Sequence, residues 1–218
     1  PFGVFDVGMH RPGYTGAVAQ PYLEILYRVV GKGTGMLSDL HENDILDVLG
    51  PLGSGFDNGP AGEEKLIVGG GGGLAALCLL AKELVKDSPV RLFAGGRTKD
   101  DVLCITEFER LGVECYTATE DGSLGECGLV TKVLEQRLDA TANKGQIFAC
   151  GPHGMLKAVA GIGAKRSVKT QVSLEGYMAC GMGACLGCVC QGAEHSTENP
   201  DYRCVCTEGP VFEAAELK

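Results

Sequence analysis

Leu23, Ile25, Tyr27 and Val29 alternate with Glu24 and Arg28, the period-two pattern of a half-buried strand, and residues 44–49 predict a second strand. Turn signals surround both, at Arg11-Pro12-Gly13, Gly31-Lys32-Gly33 and Gly50-Pro51-Leu52-Gly53. Residues 1–57 therefore predict part of an antiparallel β-barrel, and residues 56–62, rich in Gly, Asp and Asn, predict a linker.

The texture then changes. Lys65-Leu66-Ile67-Val68 is a short apolar run that leads into five glycines at 69–73, and a helix is predicted over 74–85. Strands at 90–94, 113–118, 146–150 and 171–174 alternate with helical segments near 99–111, 127–138 and 152–160. This alternation over 63–172 predicts an α/β domain with a doubly wound parallel sheet, whose ligand lies at the C-terminal strand ends. From 173 to 218 the helical period disappears. Glycine, cysteine and turn residues remain, with too little apolar mass for a core, so this third segment is expected to need a cofactor to hold it.

The chain has 218 residues, 44% of them hydrophobic, which is enough for two small domains with real cores. No apolar run reaches the roughly 18 residues of a spanning helix. The net charge of −9 argues against nucleic acid or an anionic membrane as partner. Pro1 is not a translation start, so the expectation is that the chain begins upstream of it.

Six of the 11 cysteines fall between Cys180 and Cys206, too local for the staples of a disulfide scaffold. The cluster reads as a metal site in a reducing cytoplasm. Cys180-Gly-Met-Gly-Ala-Cys185-Leu-Gly-Cys188 has the C-x4-C-x2-C spacing of plant-type 2Fe–2S proteins, which take a distant fourth cysteine. Gly181, Gly183, Ala184 and Gly187 suit a loop that must bring N–H groups close to sulfur. Cys204 and Cys206 compete for the fourth position on spacing alone, and Cys190 is left over. A structural zinc is the alternative, although Cys204-x-Cys206 is not the C-x2-C that such sites usually repeat.

Gly70, Gly71, Gly72 and Gly73 stand at a strand–helix junction, where N–H groups and the helix dipole hold a pyrophosphate; a bare tight turn would also use glycines. No acidic residue closes the second strand. Gly95-Gly96-Arg97 stands there, and Arg97 suits a 2′-phosphate equally well, which leaves NAD against NADP open. The Thr119-Glu120-Asp121-Gly122-Ser123 turn and Cys150-Gly151-Pro152 close two further strands, and each has an ordinary turn as its plain reading. Gly31-Lys32-Gly33-Thr34 is open between a hairpin loop and a diphosphate cradle. His10, His41, His153 and His195 are scattered, and no catalytic triad or acid pair is expected in this chain.

Together these residues resemble the electron-transfer subunit of dihydroorotate dehydrogenase B, in the ferredoxin-reductase-like group of iron–sulfur flavoproteins. The segments that carry the resemblance most specifically are Ser173-Leu174-Glu175-Gly-Tyr-Met178-Ala179-Cys180-Gly-Met-Gly-Ala-Cys185 and Val205-Cys206-Thr-Glu-Gly209-Pro210-Val211-Phe212. The resemblance implies a partial FAD-binding β-barrel over 1–57, a nicotinamide-nucleotide domain over 63–172 and a 2Fe–2S segment over 173–218. It implies Cys180, Cys185, Cys188 and Cys206 as cluster ligands, and so selects Cys206 over Cys204. Pro1, Phe2 and Gly3 resemble the end of the family's Arg-Pro-x-Ser flavin motif, with Gly3 where serine is usual. Leu26, Tyr27, Arg28, Gly33 and Thr34 match the other FAD segments. The glycine run, Arg97, Glu120, Asp121, Gly122, Cys150 and Gly151 belong to the NAD side.

The implied activity is electron transfer between the flavin of a catalytic dihydroorotate dehydrogenase subunit, a 2Fe–2S cluster, FAD and NAD in pyrimidine biosynthesis. The implied assembly is a cytoplasmic heterotetramer. The rival is a reductase subunit that links NAD(P)H to a ferredoxin, hydrogenase or sulfide-oxidising partner. Its NADH-dependent ferredoxin:NADP branch tends to place aspartate where Cys180 stands. From Tyr177 to Cys190 no side chain is charged, which predicts a surface covered by a partner subunit, with folding back onto the nucleotide domain as the plain alternative.

Overall fold

The computed structural model describes residues 2–9, 20–140 and 145–218. Pro1, His10 and the Arg11-Pro12-Gly13 turn lie outside the described residues. At the N-terminus β1 (Val4–Gly8) pairs antiparallel with β2 (Tyr22–Ile25), followed by the short helix α1 (Lys32–Ser38). Then come β3 (Lys65–Gly70), α2 (Gly73–Leu84), β4 (Val90–Gly96), α3 (Ile105–Arg110), β5 (Glu114–Thr119), β6 (Glu126–Cys127) and α4 (Val130–Ala140). They are followed by β7 (Gln146–Cys150), α5 (His153–Arg166) and β8 (Lys169–Ser173), and the chain ends in β9 (Val189–Gln191), β10 (Tyr202–Cys204) and β11 (Val211–Glu213).

The main sheet has the order β11-β8-β7-β3-β4-β5-β6, parallel throughout except for β11. Every residue of β3 and β7 is buried, because helices cover both faces and the strands read as continuous apolar runs. Leu66, Val68, Ile147 and Ala149 face one layer with Val133, Leu134 and Val159, while Ile67 and Phe148 face the other with Leu74, Leu77 and Phe108. The strand order reverses between β3 and β7. In an open α/β sheet that crevice is where a ligand binds.

The N-terminal expectations need two corrections. The predicted strand over 23–29 ends at Ile25, and Leu23 faces outward. The predicted strand over 44–49 does not form: these residues belong to no helix or strand, and Ile45 is 92% exposed. No partner strand lies beside them among the described residues, and a strand without a partner leaves its N–H and C=O groups to water. Among the described residues the barrel wall is therefore represented by β1 and β2.

β1 is held by α2. Asp6, buried in the ribbon, accepts from Lys82 Nζ at 2.6 Å and from the Tyr22 hydroxyl at 2.9 Å. A Cβ at Gly3 would lie 2.7 Å from the Ala76 Cβ, so this close approach to α2 explains glycine at that position.

The 56–62 stretch is not a free linker. Phe56 packs edge-on against Phe148 at 5.7 Å. The Asp57 N–H donates to Gln171 Oε1 at 3.0 Å, its carbonyl accepts from Gln146 Nε2 at 3.1 Å, and its carboxylate meets Lys169 Nζ at 2.8 Å. Lys65 is fully buried, and its ammonium donates to the Pro60 carbonyl at 2.8 Å. The stretch is thus strapped along the N-terminal edge of the sheet.

Candidate functional site

At the reversal point, Gly71 adopts φ +56°, a conformation that disfavours a side chain, and turns the chain from β3 into α2. Gly73, the first residue of α2, is packed so closely on the Cys150 carbonyl that a Cβ could not fit. A Cβ at Gly151 would lie 3.0 Å from the Gly70 N and O. Gly70, Gly73, Cys150 and Gly151 therefore form one bare backbone junction, while a Cβ at Gly71 or Gly72 would meet nothing within 4 Å. That open space sits before the N-terminus of a 12-residue helix, where N–H groups and the dipole suit an anion. Cys150 is buried, which pushes its thiol up to about 12.

The Glu120-Asp121-Gly122 turn docks on the end of β4. Glu120 N donates to the Gly96 carbonyl and Asp121 N to the Arg97 carbonyl, both at 3.1 Å. Ser123 Oγ donates to Asp121 at 2.6 Å and accepts from Lys99 N at 2.8 Å. Arg97, Glu120, Asp121 and Gly122 are therefore brought together beside the glycine junction.

The flavin-side residues are distributed differently. Phe2 stacks edge-on with Tyr27 at 5.7 Å. Gly33 and Thr34 lie in the first turn of α1, not in a hairpin loop. The Thr34 hydroxyl accepts from the Val30 N–H at 2.9 Å and the Gly31 N–H at 3.1 Å and so starts the helix. Leu26 is exposed, directly after β2. Arg28 pairs with Asp101 at 3.3 Å. Asp101 is a residue that the strand pattern alone did not single out; its spacing of four from Arg97 was the available signal.

In the C-terminal segment the sulfurs fall into pairs. The Cys185 N–H lies 3.4 Å from the Cys180 sulfur, and Cys188 and Cys206 pack together in one small core. Positive φ at Gly181, Gly183 and Leu186 coils the loop so that N–H groups turn inward. Cys185 N points at Cys180 Sγ and Gly187 N at Cys185 Sγ, each at 3.4 Å. Backbone donation from Met182, then Cys185, brings the Cys180 thiol down to about 6. Cys190, by contrast, lies in the β9–β10 ladder opposite Arg203, with its sulfur on the Arg203 carbonyl at 3.6 Å.

No group of three or more His, Cys, Asp or Glu side chains among the described residues is placed to hold a single metal ion. Two thiol pairs instead fit a two-iron cluster, in which each iron takes two cysteines. Cys188, Val205, Cys206 and Phe212 form a small core beneath the loop. Above it Tyr177, Met182 and Leu186 stand exposed, so the loop does not fold back onto the nucleotide domain. Leu49 and Leu52 reach Gly181, and Ser54 N donates to the Gly209 carbonyl at 2.6 Å, so two distant chain segments share this apolar face.

A parallel sheet with a dinucleotide junction, joined to a paired-thiol loop and a flavin-side ribbon, defines a ferredoxin-reductase-like iron–sulfur oxidoreductase. Residues 175–218 match the iron–sulfur cluster binding domain of dihydroorotate dehydrogenase B, and residues 67–161 match the oxidoreductase NAD-binding domain. The chain is 41% identical over 209 residues to the dihydroorotate dehydrogenase B (NAD(+)) electron transfer subunit of Caldanaerobacter subterraneus subsp. tengcongensis, covering 96% of this chain and 81% of that one. It is 44% identical over 196 residues to the subunit of the same name from Bacillus caldolyticus, covering 88% and 73%. A solved structure of an NADH-dependent reduced ferredoxin-NADP oxidoreductase superposes with TM-score 0.76 at 31% identity, covering 90% of this chain and 68% of that one. The chain belongs to the family of dihydroorotate dehydrogenase B electron transfer subunits.

Proposed function

We propose that this chain is the electron transfer subunit of an NAD-dependent dihydroorotate dehydrogenase in pyrimidine (UMP) biosynthesis. It works in the cytoplasm beside a catalytic, flavin-containing subunit that oxidises dihydroorotate, in a heterotetramer. When bound, a 2Fe–2S cluster and FAD supply the conversion between single-electron traffic and a two-electron hydride exchanged with NAD. Boundaries at 1–57, 63–172 and 173–218 divide these tasks along the chain.

Cys180, Cys185, Cys188 and Cys206 would hold the cluster as thiolates, and the inward N–H groups of Cys185 and Gly187 would offset the charge on sulfur. Arg28 would offer a guanidinium to the FAD diphosphate, with Gly33 and Thr34 nearby and the Pro1-Phe2-Gly3 and Leu26-Tyr27 segments against the flavin. Gly70 to Gly73 would take the NAD pyrophosphate at the α2 N-terminus. Arg97, Glu120, Asp121, Gly122, Cys150 and Gly151 would bound that site.

The observation that carries this reading is the paired-thiol loop beneath an exposed, uncharged face, with Met182 66% and Leu186 62% exposed. Such a face suits a subunit that must bring its own flavin near the cluster. Met182→Lys tests it. NADH-to-dye turnover should survive, while dihydroorotate-to-NAD turnover with the partner falls together with complex formation. Full turnover in an intact complex would remove the interface.

The likeness to the ferredoxin-NADP oxidoreductase favours a second reading, a reductase serving a ferredoxin or a similar partner. Co-purification of a dihydroorotate-oxidising subunit from the native host separates the two.

A further inference from the structure

Cys204 and Cys206 flank the start of one tight turn, and the backbone of the first is fully engaged in it. The Cys204 carbonyl accepts from the N–H groups of Thr207 at 3.2 Å, Glu208 at 2.8 Å and Gly209 at 3.3 Å. The Val205 N–H donates to the Cys188 carbonyl at 3.1 Å, so strand alternation turns the Cys204 N–H away from β9. There it donates to Glu208 Oε2 at 2.6 Å. The other oxygen of that carboxylate lies 3.6 Å from Arg203 Nη1, and Arg203 Nε lies 3.3 Å from Asp201 Oδ1. Cys206 is 2% exposed and packs with Cys188, Val205 and Phe212, whereas Cys204 is half-buried outside that core.

Two positions apart, these cysteines would project to the same side of an extended chain, and a slip of the turn would present one sulfur in place of the other. A segment with so small a core cannot fix its register by packing, so turn contacts must fix it. Glu208 is suited to this because its carboxylate holds a backbone N–H and not a side chain. That bond sets the path of the chain from β10 to Cys206, and hydrogen bonds to an ionised acceptor are among the stronger ones. The exposed ion pair to Arg203 adds little energy by itself, but it orients the carboxylate toward the turn. We propose that Glu208, oriented by Arg203, is the positioning residue that selects Cys206 over Cys204 as the fourth cluster ligand, by locking the register of the 204–209 turn. The proposal rests on the cluster assignment above and adds the group that keeps the competing thiol out.

The test uses the full chain in complex with its partner, isolated with its iron. Iron per chain and the EPR signal of the reduced cluster are measured for the native protein, Cys204→Ser, Glu208→Ala, Glu208→Gln, and Glu208→Ala combined with Cys204→Ser. The native protein and Cys204→Ser should carry the same iron and give one and the same signal. Glu208→Ala should lower the preference for Cys206 over Cys204 by about tenfold or more, the loss expected for one hydrogen bond to a charged group. It should show this as a second cluster signal. That signal should vanish when Cys204→Ser is added, which a general loosening of the segment would not produce. Glu208→Gln, whose amide oxygen can still accept from the Cys204 N–H, should keep the single native signal. An unchanged single signal in Glu208→Ala, or a second signal that persists with Cys204→Ser, overturns the role of Glu208 alone. Loss of iron in Cys204→Ser, or full iron in Cys206→Ser, overturns the ligand assignment and the role of Glu208 with it. Should Glu208→Ala fold poorly, Arg203→Gln, which frees the carboxylate from its cation, replaces it under the same criteria.

Discussion

The nucleotide sheet and the cysteine segment share one strand ladder, since β11 pairs with β8, yet they are stabilised in opposite ways. The sheet buries two large apolar layers, and Phe93, Phe108, Phe148, Ile67 and Leu92 have no accessible surface. The cysteine segment buries a core of four residues, two of them cysteines proposed above as cluster ligands. One region holds itself by packing; the other must be held through bonds to a cofactor. The contrast teaches that a single chain can place its rigid scaffold and its exposed redox loop side by side, because different forces maintain each.

The sharpest way to break the comparison is to remove the cofactor. Cys206→Ser should lower iron per chain to near background and cut dihydroorotate-to-NAD turnover by roughly a hundredfold or more, since even outer-shell losses cost ten- to a hundredfold. Cys190→Ser should leave iron content intact. Hydrogen exchange on the Cys206→Ser protein should show residues 177–209 opening while β3 and β7 stay protected. Equal loss of protection in both regions would end the contrast.

The converse variant is Phe148→Ala, which should cost about 3–5 kcal/mol by denaturant unfolding. The visible spectrum of the protein that remains folded should be unchanged. Smaller is Gly73→Ala, where the new methyl has no room beside the Cys150 carbonyl. It should cost about 1–3 kcal/mol and weaken dinucleotide binding while cluster content holds.

The smallest effect is with acid. The Lys169 ammonium, and then the Gly59 N–H, hold the Asp57 carboxyl below its ordinary value. A carboxylate depressed in the folded state adds stability that is complete above its unfolded value, near pH 4, and is lost as pH falls through the lower folded value. Asp57→Asn should therefore flatten the melting temperature against pH below about pH 4 and leave it slightly lower at neutrality.

The sheet was legible because its strands are buried on both faces: residues 65–68, 90–94 and 146–150 read as apolar runs bounded by glycine or proline. The paired-thiol loop was legible for a different reason, since ligand spacing is a covalent constraint that survives without a core. The region before residue 60 was not. Its alternating apolar residues carry the period of a strand, but period does not supply a partner, and residues 44–49 remain unpaired. Nor could pattern reveal that Gly33 and Thr34 open a helix, because the deciding contact is a hydroxyl reaching back to two N–H groups. Asp101 escaped notice because its partner, Arg28, lies 73 positions away.

The strap from Phe56 to Pro60 has a consequence for proteolysis. Its composition, with Asp57-Asn58-Gly59-Pro60 in a row, is that of a segment a protease would cut first. Yet its backbone bonds go to Gln171 and Gln146, and Lys65 is anchored beneath it. Cleavage requires the scissile chain to leave the surface and lie extended in the protease cleft. Here that would leave an ammonium buried without its carbonyl. A limited digest should therefore spare this stretch and open the exposed, unpaired residues around Ile45 instead, so that the first fragment released would carry the strap with the nucleotide sheet rather than with the ribbon.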